Sequence, residues 1–144
     1  MIEHVWTVLC RRAVVDSETN SMSLFDSMEA VQFGVAQPAD APAPEGLPVE
    51  LELVTLWIRS DRTVPEHSRC RVAVQFPDHS ERQVGETVEI DLREFERLRS
   101  RVHFSGIPFS GSGRYRFLVQ LQDGDNWTTV ARTPLDIEET SPPD

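Results

Sequence analysis

An alternation of apolar and polar residues with period two, broken at short intervals by turn residues, constrains this chain more than any other feature. Successive side chains of a strand point to opposite sheet faces, so this pattern fits half-buried strands and not helices. Cys70, Val72, Val74 and Phe76 alternate with Arg69, Arg71, Ala73 and Gln75 before Pro77-Asp78 ends the run. Val88, Ile90 and Leu92 share one face of a strand at 84–92, and Tyr115, Phe117, Val119 and Leu121 share one face at 115–121. Further strands are expected at 5–10, with an extension at 13–16 beyond a bend at Arg11-Arg12, and at 23–33, 49–58, 101–107, 127–131 and 135–138. Asp123-Gly124-Asp125-Asn126 reads as a hairpin turn, and Pro134 suits an edge or a break.

Two segments depart from this pattern. Asp91 and Glu94 have capping-box spacing, so a short helix near 92–98, with Leu92, Phe95 and Leu98 on one face, competes with a strand. Residues 36–48 carry prolines at 38, 42, 44 and 48 among alanines, which predicts a loop or extended arm. The expected architecture is all-β: a two-sheet antiparallel sandwich of seven to eight strands in one domain over 1–139, followed by a disordered acidic tail at 140–144.

The run Gly111-Ser112-Gly113-Arg114-Tyr115-Arg116-Phe117 resembles the tyrosine corner of immunoglobulin-like sandwiches, in which a phenol bonds backbone a few residues upstream. Trp57 then corresponds to the core tryptophan, and Phe117 stands where an immunoglobulin domain has its second cysteine. The resemblance implies the architecture and no antibody-like role. Val15-Asp16…Thr19-Asn20, Gly113–Phe117 and Pro134–Ile137 also resemble a family of bacterial single-domain proteins of unknown function. Those motifs are turn and core residues, so they imply a fold and bring no activity with them.

Charge narrows the function classes. The net charge of −10 opposes binding to a phosphate backbone, so no nucleic-acid partner is expected. All 14 basic residues are arginine. No apolar run approaches the roughly 20 residues that span a bilayer, and the N-terminus lacks the charge order of a signal peptide. A cytoplasmic protein without membrane contact is the expectation. Cys10 and Cys70 are then expected to be reduced, small buried hydrophobes.

Catalytic signatures are missing. No Gly-x-Ser-x-Gly elbow, phosphate loop or His-Glu-x-x-His helix is present, and the lack of lysine excludes Schiff-base chemistry. His67-x-x-Cys70 with His79 is the best zinc spacing, but structural zinc needs four clustered ligands, so no metal or other cofactor is expected. Asp123 and Asp125, with Glu138, lack the spacing of a calcium loop.

Two features point to binding. Strands 5–9 and 54–58 are apolar on both faces, whereas an antiparallel strand normally wets one. With Leu53, Thr55 and Trp57 inward, Val54, Leu56 and Ile58 form an outward strip. A second copy, another protein or the chain itself must cover it. Arginines 93, 97, 99, 101, 114 and 116 also concentrate positive charge, with Arg114 and Arg116 outward beside inward Tyr115 and Phe117. The expected function is a non-catalytic interaction or accessory module with a protein partner or homodimer. A small-molecule or carbohydrate binder using a Trp/Arg pocket is the alternative, and an enzyme of unidentified chemistry is third.

Overall fold

The computed structural model describes residues 1–34 and 46–140. Every regular element among them is a strand: β1 (Ile2–Val15), β2 (Met22–Ser27), β3 (Ala30–Gly34), β4 (Gly46–Leu47), β5 (Leu51–Arg59), β6 (Glu66–Gln75), β7 (Glu81–Leu92), β8 (Arg97–Phe104), β9 (Ile107–Pro108), β10 (Gly113–Asp123) and β11 (Asn126–Thr140). They form a four-stranded sheet ordered β2-β1-β5-β8, a five-stranded sheet ordered β3-β11-β10-β6-β7, and a small β4-β9 ribbon. The inward side chains of both larger sheets merge into one core, with Leu9, Leu53 and Trp57 from the first and Val74, Phe117 and Leu135 from the second. Each such fully buried side chain contributes on the order of 1.5–3 kcal/mol.

Several expectations are corrected. The strand expected at 23–33 is two strands. Asp26 takes a left-handed φ of 54°, the Met28 amide donates to the Leu9 carbonyl, and the Asp136 amide donates to the Glu29 carbonyl. The chain thus leaves the first sheet and joins the second, so β3 runs parallel to β11, the one parallel pair among the described residues. The strands expected at 127–131 and 135–138 are one, β11, and of the two settings that suit Pro134 the edge is the one found. β3 joins β11 only from Asp136 onward, so Pro134 lies where β11 has one free edge and no ladder donor is lost on that side. There is no helix at 92–98: the Asp91 carboxylate accepts from the Arg93 amide and guanidinium and so closes a turn instead of capping a helix. Phe95 is consequently 62% exposed. Of the expected arm, 36–45 lies outside the described residues, while Gly46 and Leu47 pair with Pro108 and Ile107. In the expected tail, Thr140 ends β11 and 141–144 lie outside the described residues.

Tyr115 is fully buried; its hydroxyl donates to the Gly111 carbonyl at 2.6 Å and accepts from the Ser110 amide at 2.9 Å. Gly113, two residues earlier, has φ 148°, and a Cβ there would sit 2.7 Å from the Pro77 ring. Trp57 is fully buried in the strand expected, with Nε1 donating to Ser100 Oγ at 2.9 Å.

Candidate functional site

The outward strip of β5 comes first, because the sequence requires a cover for it without saying which. Cross-strand register sets Val54 beside Val8, and Leu56 beside Trp6. Beyond Cys10, β1 leaves β5 and pairs with β2, and this hairpin folds back over the strip. Val54 is 0% exposed, in a cluster with Cys10 and Ala13 against which Trp6, Val8, Met22 and Leu24 pack. Leu56 and Ile58 are half-buried. Of the covers the sequence left open, the chain itself supplies the one over Val54, with its own hairpin.

Polar contacts latch the hairpin down. Glu52, outward on β5, accepts from the Ala13 amide at 2.5 Å and from the Arg101 guanidinium at 2.9 Å, and Arg101 also donates to the Ala13 carbonyl at 3.2 Å. At the hairpin tip Arg99 donates to the Asn20 carbonyl and side chain. Burial pushes the Glu52 carboxyl up. The Arg101 hydrogen bond, the Ala13 amide and the charges of Arg101 and His103 outweigh burial, so the group titrates below its ordinary value. Two of the arginines in the sequence cluster thus serve as internal ties. Arg93 is bound to Asp91, and Arg97 lines a cleft of about 580 Å³ beside the hairpin.

The outer face of the five-stranded sheet is different. Its strands present Arg69, Arg71, Ala73 and Gln75 from β6, and Arg114, Arg116, Leu118 and Gln120 from β10. Trp127, Thr129, Arg132, Asp136 and Glu138 from β11 and Glu81, Gln83 and Glu89 from β7 share it. Arg114 and Asp136 form a two-pronged pair at 2.7 and 3.1 Å. The Arg114 hydrogen bond holds the Asp136 carboxyl below its ordinary value against the opposing effect of burial, with the charges of Arg114 and Arg116 adding to it. Arg69 and His67 share Glu89. Arg71, Arg116 and Arg132 have no ion-pair partner among the described residues. Arg71 donates to Gln120 at 2.7 Å, and its guanidinium lies 4.3 Å from the centroid of the Trp127 ring. Ala73 and Leu118 are buried between these long side chains.

Of the arginines singled out by sequence, Arg114 and Arg116 lie on this face with Tyr115 and Phe117 beneath them in the core. Arg71 faces outward by the alternation of its own strand, and Arg132 with Trp127 are the members that alternation did not bring together. The missing signal is an extra residue, Val130, between the pairs Val119–Ala131 and Gln120–Thr129. Trp127 and Arg132 are five apart, so strict period two puts them on opposite faces; the bulge brings both outward.

Among the described residues no group of three or more His, Cys, Asp or Glu side chains could hold a metal ion. His67 faces Glu89, while Cys70 is buried in the core. Cys10 and Cys70 are both free and buried, in separate clusters. No helix of the described residues is long and apolar enough to cross a membrane. No protein-family model matches the chain, and no curated protein matches it.

Proposed function

We propose that this chain is an immunoglobulin-like β-sandwich, of the bacterial kind its motifs resemble, that works in the cytoplasm as a non-catalytic docking module. Its docking surface is the outer face of the five-stranded sheet. One observation carries the reading: Arg71, Arg116 and Arg132, without ion-pair partners among the described residues, share a sheet face with half-buried Trp127 in a chain of net charge −10. Arginine and tryptophan are the side chains most enriched where protein interfaces hold their binding energy. The tyrosine-corner contacts of Tyr115 and the core position of Trp57 support the sandwich assignment.

The strip of Val54, Leu56 and Ile58 supports docking less well, since the hairpin already roofs Val54. A carbohydrate platform on Trp127 is the second reading. Arg71 at 4.3 Å already stacks over one face of that ring, which weakens it. The test is affinity capture from an extract of the source organism, comparing the parent, the pair Arg116→Glu/Arg132→Glu, and Leu56→Glu. The sheet-face pair is expected to lose the captured partner while Leu56→Glu keeps it. Capture that survives Arg116→Glu/Arg132→Glu overturns docking through this face.

A further inference from the structure

Resting on docking through this face, we infer that its ligand is an extended acidic segment of the partner protein, with carboxylates at alternate positions taken up by Arg116 and Arg132. Among the described residues, the clefts of about 370 to 1020 Å³ lined by Arg11, Trp6, Gly46, Met1 and Arg82 with their neighbours include none of Arg71, Arg116, Trp127 and Arg132. Small-molecule sites are concave, so a sheet face of this kind suits a macromolecule better. A net charge of −10 repels a polyanion along its whole length and so disfavours nucleic acid, whereas a short acidic segment meets only the arginines of this face, the more distant charges being screened. A two-fold dimer through this face would bring two copies of the same arginine-bearing patch together, which like-charge repulsion opposes. A partner that brings negative charge is what remains.

Register makes the chemistry more specific. Arg116 lies opposite Pro134 on β11, and Arg132 lies opposite Leu118, so the two arginines are diagonal neighbours on adjacent strands. Diagonal neighbours in an antiparallel pair lie roughly 7–8 Å apart. Same-side residues of an extended peptide repeat at about 6.6–6.8 Å, two residues of rise. An acid-x-acid segment lying across the strands therefore presents successive carboxylates at the spacing of Arg116 and Arg132. Each guanidinium fork receives a carboxylate through two parallel hydrogen bonds. Of the acids on the face, Asp136 is held by Arg114 and Glu89 by Arg69 and His67, while Glu81 and Glu138 form no ion pair with Arg116 or Arg132. Arg71, stacked on Trp127 and tied to Gln120, borders the track on the β6 side.

The test uses the full chain and three labelled probes followed by fluorescence anisotropy: a peptide of alternating Glu and Ser, its Gln-for-Glu counterpart, and a single-stranded oligonucleotide. Inorganic tripolyphosphate serves as competitor. Binding is expected for the Glu peptide alone. It should weaken at least tenfold between low salt and 0.5 M salt, and at least tenfold in Arg116→Gln/Arg132→Gln, with Arg93→Gln unchanged. The conservative Gln variants, checked by their melting curves, keep the result readable if Arg→Glu unfolds the sheet. Equal binding of the Gln peptide, tighter binding of the oligonucleotide, an excess of affinity for tripolyphosphate, or Glu-peptide binding indifferent to Arg116→Gln/Arg132→Gln each overturns the inference. If the Glu peptide fails to bind while Arg116→Glu/Arg132→Glu still abolishes partner capture, the acidic-segment inference falls and docking stands. If capture is also unaffected, both fall.

Discussion

Tyr115 shows how one residue ties a turn to a core. Its ring packs edge-on against Phe76 and parallel to Phe109, and its hydroxyl serves both the Gly111 carbonyl and the Ser110 amide. Removing that oxygen leaves a backbone donor and acceptor short of a partner in a part-buried turn, which costs on the order of 1–3 kcal/mol. Tyr115→Phe should therefore lower the denaturant midpoint by that amount with an unchanged m-value; a stability equal to the parent would show that water replaces the phenol without loss. This residue's role was legible in the sequence because Gly-x-Tyr-x-Phe carries both the turn and the alternation. Arg132 was not. Its face depends on the unpaired Val130, and nothing in the residue types of β11 marks the bulge.

At the scale of elements, the β1–β2 hairpin is the feature that reshapes the reading of the chain. Apolar residues on both faces of β1 and β5 showed that a second face must be covered, and alternation set Leu53 and Trp57 inward as observed. What covers the other face depends on where β1 leaves β5, and the polar ties of Glu52, Arg99 and Arg101 are contacts across 39 to 88 residues of sequence. Glu52 also gives the hairpin a pH dependence. Its folded pKa lies below the unfolded value, so its contribution is fully present above the unfolded pKa of about 4.3 and is lost as pH falls through the folded one. Glu52→Gln should be less stable than the parent by roughly 1–3 kcal/mol at pH 7, and the gap should close as the parent's carboxylate protonates below pH ~4. Paired urea titrations at several pH values measure it; a gap independent of pH would mean that the carboxylate charge contributes nothing to the latch. Hydrogen exchange at residues 12–15 and 22–25 should report the same loss locally.

The whole molecule is tied together by one buried cluster fed from both larger sheets, and the chain itself passes from one sheet to the other between β2 and β3. Neither sheet can lose its partner and keep its apolar face covered, so the two should unfold together. Melts followed by far-ultraviolet circular dichroism and by tryptophan fluorescence are expected to coincide. The fluorescence combines Trp57 in the shared core, Trp6 beneath the hairpin and Trp127 on the outer sheet face, so a separately melting sheet would split the curves.

The sequence by itself determined that the chain is built of strands, where most of them run, which residues of β5, β6 and β10 face inward, and that Tyr115 closes a corner. These follow from period-two alternation and turn chemistry, which act within a few residues of chain. Tertiary structure alone decided that β2 and β3 lie in different sheets and that β1 and β2 roof Val54. It also decided that β6, β10 and β11 are neighbours and that a bulge in β11 turns both Arg132 and Trp127 to the face that carries Arg71 and Arg116. Those outcomes depend on register between strands distant in sequence, and a one-residue shift in register reverses every side chain that follows it.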